Sequence, residues 1–278
     1  MLLNDYEYLV VQPGSAAYND YLKLRHDVFC EELKRVPSSG SQLGGFAVES
    51  DDYDVQSVHV LCRARESKVA VGCSRLILPG PRGLNVTARY RISRLHGVPV
   101  EKIGEIGRMT LSSQLRRSRS SVAVTCGDGY TDDGAADFNR SKRDGSLIAF
   151  GLYREMFRLL GQFGLTHCFA AMEPSLARLL NRLGFPFVEA GPLNTDVRPA
   201  RQPFILRVHD VRAGIASRNA SMYGFMVGAD DSEPATAGAW QVPTQPKPEL
   251  HLDGGRHHAV VEHHRPFDSP HSQERGRS

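Results

Sequence analysis

Glu105 and Arg108 stand three residues apart in Glu105-Ile106-Gly107-Arg108-Met109-Thr110-Leu111-Ser112. Ile106, Met109 and Leu111 give this stretch the apolar members of a strand. In a regular strand an odd spacing sends two side chains to opposite faces. Two readings follow. Either Glu105 and Arg108 form a surface ion pair of small value, or they serve one site because an extra residue, a β-bulge at Gly107, interrupts the strand. A bulge leaves a backbone N–H without a ladder partner, and such a donor suits a thioester carbonyl.

A second charged set lies upstream. Ser15 reads as the N-cap of a helix over residues 15–35, whose apolar line is Tyr18, Leu22, Val28, Phe29 and Leu33. Arg25 falls inside that line. A buried guanidinium needs carboxylates, since removing its partner costs about 3–5 kcal/mol; the alternative is an arginine snorkelling from the edge of the stripe. Glu49-Ser50-Asp51-Asp52-Tyr53-Asp54 supplies four acids in six residues. Such a run is ordinarily a solvated turn, but it stands just ahead of a strand over 57–65 and is placed to reach the helix. The next strand, 69–78, carries Val71, Cys73, Arg75 and Ile77 on one face, so a second arginine sits in an apolar row.

These residues need a scaffold, and the chain of 278 residues is long enough for one sizeable core. Its 41% hydrophobic and 23% charged content is that of an ordinary globular protein, and a net charge of +3 gives no argument for nucleic acid. Five scattered cysteines without CxxC spacing argue against a disulfide framework or a zinc site and point to a reducing compartment. The acidic start has no signal-peptide pattern, and no apolar run approaches a membrane span, so a cytoplasmic location is expected.

In chain order the pattern predicts a strand over 6–12, the helix, the acidic loop, two strands, a loop with a short helix over 85–102, and the Glu105 strand. Residues 125–144 are polar and aperiodic and read as a disordered stretch or mobile lid. Ser146 then caps a helix over 147–163 with Ile148, Leu152, Met156 and Leu159 on one face. A buried strand over 166–172 follows, then a helix with Pro174 in its first turn and Gly184 at its end. Two strands, 185–189 and 203–209, and one weak helix, 212–227, complete a domain spanning 1–227. From Gly228 to Ser278 the composition turns to Ala, Pro, Gly, Ser and His, which reads as a disordered tail.

This order resembles the GNAT-like acyl-CoA N-acyltransferase fold, an α/β class with a mixed central sheet flanked by helices and a β-bulge in the central strand. More specifically, Arg25-x-x-x-Phe29, Glu49-x-Asp51-x-Tyr53-Asp54, Val71-Gly72-Cys73-Ser74-Arg75-Leu76 and Glu105-x-x-Arg108 resemble, in order and spacing, the motifs of acyl-homoserine-lactone (autoinducer) synthases and N-acyl amino acid synthases. The segment 105–112 with Arg116-Arg117-Ser118-Arg119 is similar to the acyltransferases associated with PEP-CTERM/exosortase systems. Two features depart from the pattern. The synthases carry a tryptophan after the first helix, whereas the single tryptophan here is Trp240. The glycine-rich diphosphate loop of coenzyme-A enzymes is also absent, with arginines in its place.

The resemblance implies an N-acyltransferase that moves a fatty acyl group from acyl carrier protein to an amino acid or similar small amine. No resident cofactor or metal is expected, and acyl-ACP or acyl-CoA is the co-substrate. Glu105, Arg108 and Met109 would be catalytic, with Glu105 accepting the amine's proton through water and the bulge N–H polarising the carbonyl. Arg25, Phe29, Asp51, Asp54 and Arg75 would bound the substrate pocket. Arg116, Arg117 and Arg119 would meet the carrier protein and its phosphopantetheine. The acyl chain would lie among residues such as Leu152, Met156 and Phe169, for each of which core packing is the more ordinary role. An autoinducer synthase, a coenzyme-A-dependent N-acetyltransferase and a non-catalytic binding protein on this fold are the alternatives.

Overall fold

A computed structural model describes residues 5–92, 97–113, 115 and 132–227. The chain begins with β1 (Tyr6–Val11) and α1 (Ala16–Arg25), whose N-cap Ser15 accepts a hydrogen bond from the Tyr18 N–H at 3.1 Å. A π-helical turn, His26–Glu32, continues α1 in place of the α-helix expected to reach residue 35. A small hairpin of β2 (Gln42–Leu43) and β3 (Phe46–Ala47) follows, then β4 (Ser57–Ala64), β5 (Ala70–Ile77), α2 (Asn85–Arg89) and β6 (Ile103–Leu111). The second half adds α3 (Asp132–Gln162), β7 (His167–Met172), α4 (Pro174–Leu183), β8 (Val188–Glu189), β9 (Gln202–Arg207), α5 (Val208–Arg218) and α6 (Ala220–Val227).

Seven strands form one mixed sheet in the order β1-β4-β5-β6-β7-β9-β8. Its strands pair antiparallel except β6 with β7, which are parallel and so need a long crossover, supplied by α3. That parallel pairing is short. Ile103–Glu105 pairs with His167–Phe169, while β6 runs on to Leu111 and β7 to Met172, so the two strands part just beyond Glu105.

Alternation along the strands divides the core between the two faces. On one face Leu76, Ile106, Leu111 and Cys168 pack under Ile148, Leu152, Met156 and Leu159 of α3 and under α4 to α6. On the other, Leu61 and Cys73 meet Tyr21, Leu22, Val28 and Phe29 of the first helix, and Ile77, Ile103 and Phe169 meet Leu84 and Val86. Phe169 therefore lies across the sheet from Leu152 and Met156, so these three residues do not line a common acyl chamber. Val71, expected to share a face with Cys73, packs instead with the α3 side, because the β4–β5 register slips at Cys62/Arg63.

Three expectations are corrected by these elements. Residues 132–144 are helical backbone at the start of α3, not an aperiodic loop. The absence of an apolar stripe in that part of the sequence concealed the period. The weak helix over 212–227 is two helices, parted at Asn219, whose Oδ1 accepts the Met222 N–H at 3.0 Å. The strand over 185–189 is only Val188–Glu189. Residues 228–278 and 125–131 lie outside the described residues. Among the described residues no helix is long and apolar enough to cross a membrane.

Two backbones approach closely where Gly184, the left-handed cap of α4 at φ +101°, meets Gly214 of α5. A Cβ on Gly214 would fall onto the Gly184 carbonyl. Alanine in a helix interior gains about 1 kcal/mol over glycine, but forced overpacking against a backbone costs about 1–3 kcal/mol. Gly214→Ala is therefore expected to destabilise, lowering the urea midpoint, where helix propensity alone would raise it.

Candidate active site

The two arginines in apolar rows turn inward on the same face of the sheet. Arg25 and Arg75 are 0% and 1% exposed, and the acidic run folds over them. Arg25 Nε donates to Glu49 Oε2 at 2.5 Å and its Nη1 to Asp54 Oδ1 at 2.7 Å. Arg75 Nη1 donates to Asp54 Oδ1 at 2.6 Å, and its Nη1 and Nη2 grip both oxygens of Asp51 at 2.6 and 2.7 Å. Arg108 Nη2 reaches Glu49 Oε1 at 2.9 Å and Asp51 Oδ2 at 3.0 Å. Each carboxylate thus bridges two arginines, and each arginine bridges two carboxylates. The result is a closed ring of alternating charge: Arg25, Glu49, Arg108, Asp51, Arg75, Asp54.

Three positive and three negative groups leave no net charge to be desolvated, which is the condition for holding ions in a low-dielectric interior. Burial alone would raise the carboxyl pKa values, but the guanidiniums hold Glu49, Asp51 and Asp54 below the usual carboxylate range. The ring meets solvent at Arg108 and Asp51, whose side chains are 15% and 20% exposed. Arg25 also faces the Tyr21 ring, and Arg108 stands 5.5 Å from the centroid of Phe29.

Arg108 reaches the ring because β6 is interrupted. Cys73 pairs with Thr110 and Arg75 with Gly107, so Arg108 and Met109 together oppose Ser74. The bulge falls one residue later than expected. Arg108 itself carries the left-handed conformation, φ +49°, which an L side chain adopts at a cost of about 1–2 kcal/mol. The compensation is its pairing with Glu49 and Asp51.

Glu105 and Arg108 share the face, as a bulge requires, but they are not partners. Glu105, 2% exposed, accepts the Val86 backbone N–H at 2.8 Å and Asn85 Nδ2 at 3.2 Å. Burial raises its pKa, and the Val86 N–H, Asn85, Arg75 and Arg108 offset only part of that. A carboxyl so placed is better suited to taking up a proton than any acid in the ring.

Of the residues expected at the site, Arg25, Phe29, Asp51, Asp54, Arg75, Glu105 and Arg108 converge on one face at or beside the bulge, whereas Met109 contributes only its backbone there and packs its side chain on the α3 face. Arg116, Arg117 and Arg119 lie outside the described residues. Sequence reasoning missed three participants. Glu49 was visible in the acidic run but was not assigned a role. Asn85 lies 20 residues from Glu105 with no motif spacing. His59, also buried, donates through Nε2 to the Asp54 carbonyl at 3.1 Å.

Burial depresses the His59 pKa from 6.5 to about 4, against the pull of Asp54. Its contribution to stability is thus fully present above pH 6.5 and is lost as pH falls toward 4. A drop of about 2–3 kcal/mol over that window is expected from the shift, measured by urea unfolding, and His59→Gln should flatten it. Arg25→Met, which strips Glu49 and Asp54 of a buried partner, should cost about 3–5 kcal/mol in the same assay. Arg108→Met, at the solvent edge, should cost distinctly less.

Residues 24–125 match the acetyltransferase (GNAT) domain among protein-family models. No curated protein matches the sequence. Solved structures with a similar chain path include the AHL synthase LasI (16% identity, TM-score 0.49, 77% of this chain and 95% of that one). Another is the CoA-dependent acyl-homoserine lactone synthase BjaI, solved with SAM and isopentyl-CoA (19%, 0.48, 74% and 82%). A third is FeeM, an N-acyl amino acid synthase from uncultured soil microbes (11%, 0.46, 75% and 93%). The α/β sheet with its interrupted central strand is a GNAT-type fold, in keeping with the match of residues 24–125 to the acetyltransferase (GNAT) domain.

Proposed function

We propose that the protein is an N-acyltransferase that moves a fatty acyl group from the thioester of an acyl carrier protein to the amino group of an amino acid or similar small amine. The observation that carries this reading is the separation of charges around the bulge. Six ions neutralise one another in the ring, while Glu105, outside it, sits in an environment that favours proton uptake.

Aminolysis of a thioester asks for a neutral amine, a donor for the oxyanion, and two reactants held together. The amine nitrogen attacks the carbonyl carbon, the new C–N bond forms as the C–S bond breaks, and the leaving sulfur takes up from Glu105 the proton that the nitrogen has given to that carboxylate. Glu105 accepts the proton from the nitrogen, through a water where the distance requires one. Backbone N–H groups at Arg108 and Met109 are the candidate oxyanion donors. The parting of β6 and β7 just beyond Glu105 gives an extended thioester arm a path to that point. Arg25, Asp54 and Arg75 hold the geometry from beneath, and Phe29, Asp51 and Arg108 bound the opening.

The carrier protein is preferred as donor on the grounds of Arg116, Arg117 and Arg119, whose cluster suits a single phosphate on an acidic surface. A cytoplasmic setting accords with that partner.

The test is incubation with long-chain acyl carrier protein, the matching acyl-CoA, and a panel of amino acids, with products read by mass. Glu105→Gln should lose about 10²–10⁴-fold in turnover while remaining folded, and full activity in that variant removes Glu105 from the mechanism. Turnover from acyl carrier protein should weaken steeply with added salt. Equal use of acyl-CoA with no salt dependence would overturn the choice of donor.

A further inference from the structure

Glu105 is held by one short piece of chain. The Val86 N–H donates to its Oε2 at 2.8 Å and Asn85 Nδ2 to its Oε1 at 3.2 Å, and these two neighbours open α2. Their backbone is pinned from both sides. Leu84 and Val86, 4% and 0% exposed, pack against Ile77, Ile103 and Phe169. Gln56 Nε2 donates to the carbonyls of Leu78 and Gly83 at 3.1 and 2.7 Å, and Thr87 Oγ1 to that of Leu84 at 2.7 Å. What can still turn at this point is the Asn85 amide, whose terminal torsion is broad and roughly two-fold.

The amide is only half used. Nδ2 faces the carboxylate, which leaves Oδ1 buried and without a partner. That arrangement suits an ionised Glu105, which only accepts. A protonated carboxyl also donates, and its O–H needs an acceptor. The Val86 N–H cannot serve, and the guanidiniums of Arg75 from β5 and Arg108 from β6 carry donors alone. Cys168 of β7 gives its thiol hydrogen to the Phe169 carbonyl at 3.4 Å. Tyr90, after α2, acts on Glu105 through space and not by a hydrogen bond. A half-turn of the amide, by contrast, brings Oδ1 to the place of Nδ2, within hydrogen-bond distance of Oε1.

We infer that Asn85 is a positioning residue for Glu105 in both of its charge states: its amide donates Nδ2–H to the carboxylate, then turns over and accepts the carboxyl O–H at Oδ1. One amide atom is unpaired before the turn and the other after it, so the count of hydrogen bonds is the same when the proton arrives and when it leaves. A guanidinium in that place would hold Glu105 ionised, as the ring arginines hold Glu49, Asp51 and Asp54. A backbone carbonyl there would favour only the carboxyl. The inference rests on the acyl-transfer reading above. It adds how one buried group takes the amine's proton and passes it to the leaving sulfur without losing a hydrogen bond at either stage.

The experiment follows the side chains of Glu105 and Asn85 by ¹³C NMR in the full chain without substrates, assigned with Glu105→Gln and Asn85→Leu. As Glu105 takes up its proton, the Asn85 amide carbon should move downfield, as a carbonyl does on accepting a hydrogen bond, and this response should vanish in Glu105→Gln. An Asn85 carbon that stays still or moves upfield overturns the turn of the amide. Removing a donor that serves the carboxylate alone would raise the Glu105 midpoint by about 1–2 pH units, the scale of one hydrogen bond to a charged group. Removing an amide that serves both states, in Asn85→Leu, should leave that midpoint within about 0.5 pH unit. A rise of the larger size makes Asn85 a fixed donor and overturns the inference. In turnover, Asn85→Leu should lower kcat about tenfold with the acceptor KM unchanged, and Asn85→Gln, which keeps an amide, should recover part of the loss. Wild-type kcat in Asn85→Leu removes Asn85 from the reaction. Failure of the acyl-transfer reading looks different: Glu105→Gln would turn over at the wild-type rate, while the wild-type titration still reports on the amide.

Discussion

The structure depends on the electrostatic closure of one ring. A single buried guanidinium with one carboxylate removed is several kcal/mol out of balance, and here three are buried or nearly so on one face of a sheet. Closure solves this by sharing: Glu49 serves Arg25 and Arg108, Asp51 serves Arg75 and Arg108, and Asp54 serves Arg25 and Arg75. The ring ties together elements that are distant in sequence, namely the first helix, the loop before β4, and strands β5 and β6. No member can be moved without leaving two others short of a partner. The bulge in β6 and the left-handed backbone of Arg108 follow from that demand, since a regular strand would direct Arg108 away from Glu49 and Asp51.

The same constraint explains why Glu105 behaves differently from the ring acids. Its neighbours at hydrogen-bond distance are a backbone N–H and an amide, which carry no net charge to hold it ionised. Two kinds of site thus lie side by side: one locked in its charge state by mutual pairing, the other free to exchange a proton. Such a pairing of a rigid frame with a titratable group is what a general base next to an electrostatic scaffold requires. The π-helical turn after Arg25 belongs to the frame as well, since it carries Phe29, whose ring Arg108 faces.

The sequence by itself determined which residue types had to be buried together. Arg25 in a helical apolar line and Arg75 in an alternating strand need carboxylates once buried, and the acidic run between them is the nearest supply. The spacing of Glu105 and Arg108 likewise required an interrupted strand if both were to serve one face. The α3 core positions Ile148, Leu152, Met156 and Leu159, the Ser15 cap and the Gly184 terminus were legible for the same reason: periodicity and capping are local. Tertiary structure alone decided the rest. Which acid meets which arginine depends on loop geometry that no spacing encodes, so Glu49 took the bridging place and Glu105 was handed to Asn85 and Val86. The bulge moved from Gly107 to Arg108 because pairing with two carboxylates outweighs the strain of a left-handed arginine. That freed Gly107 from any conformational duty.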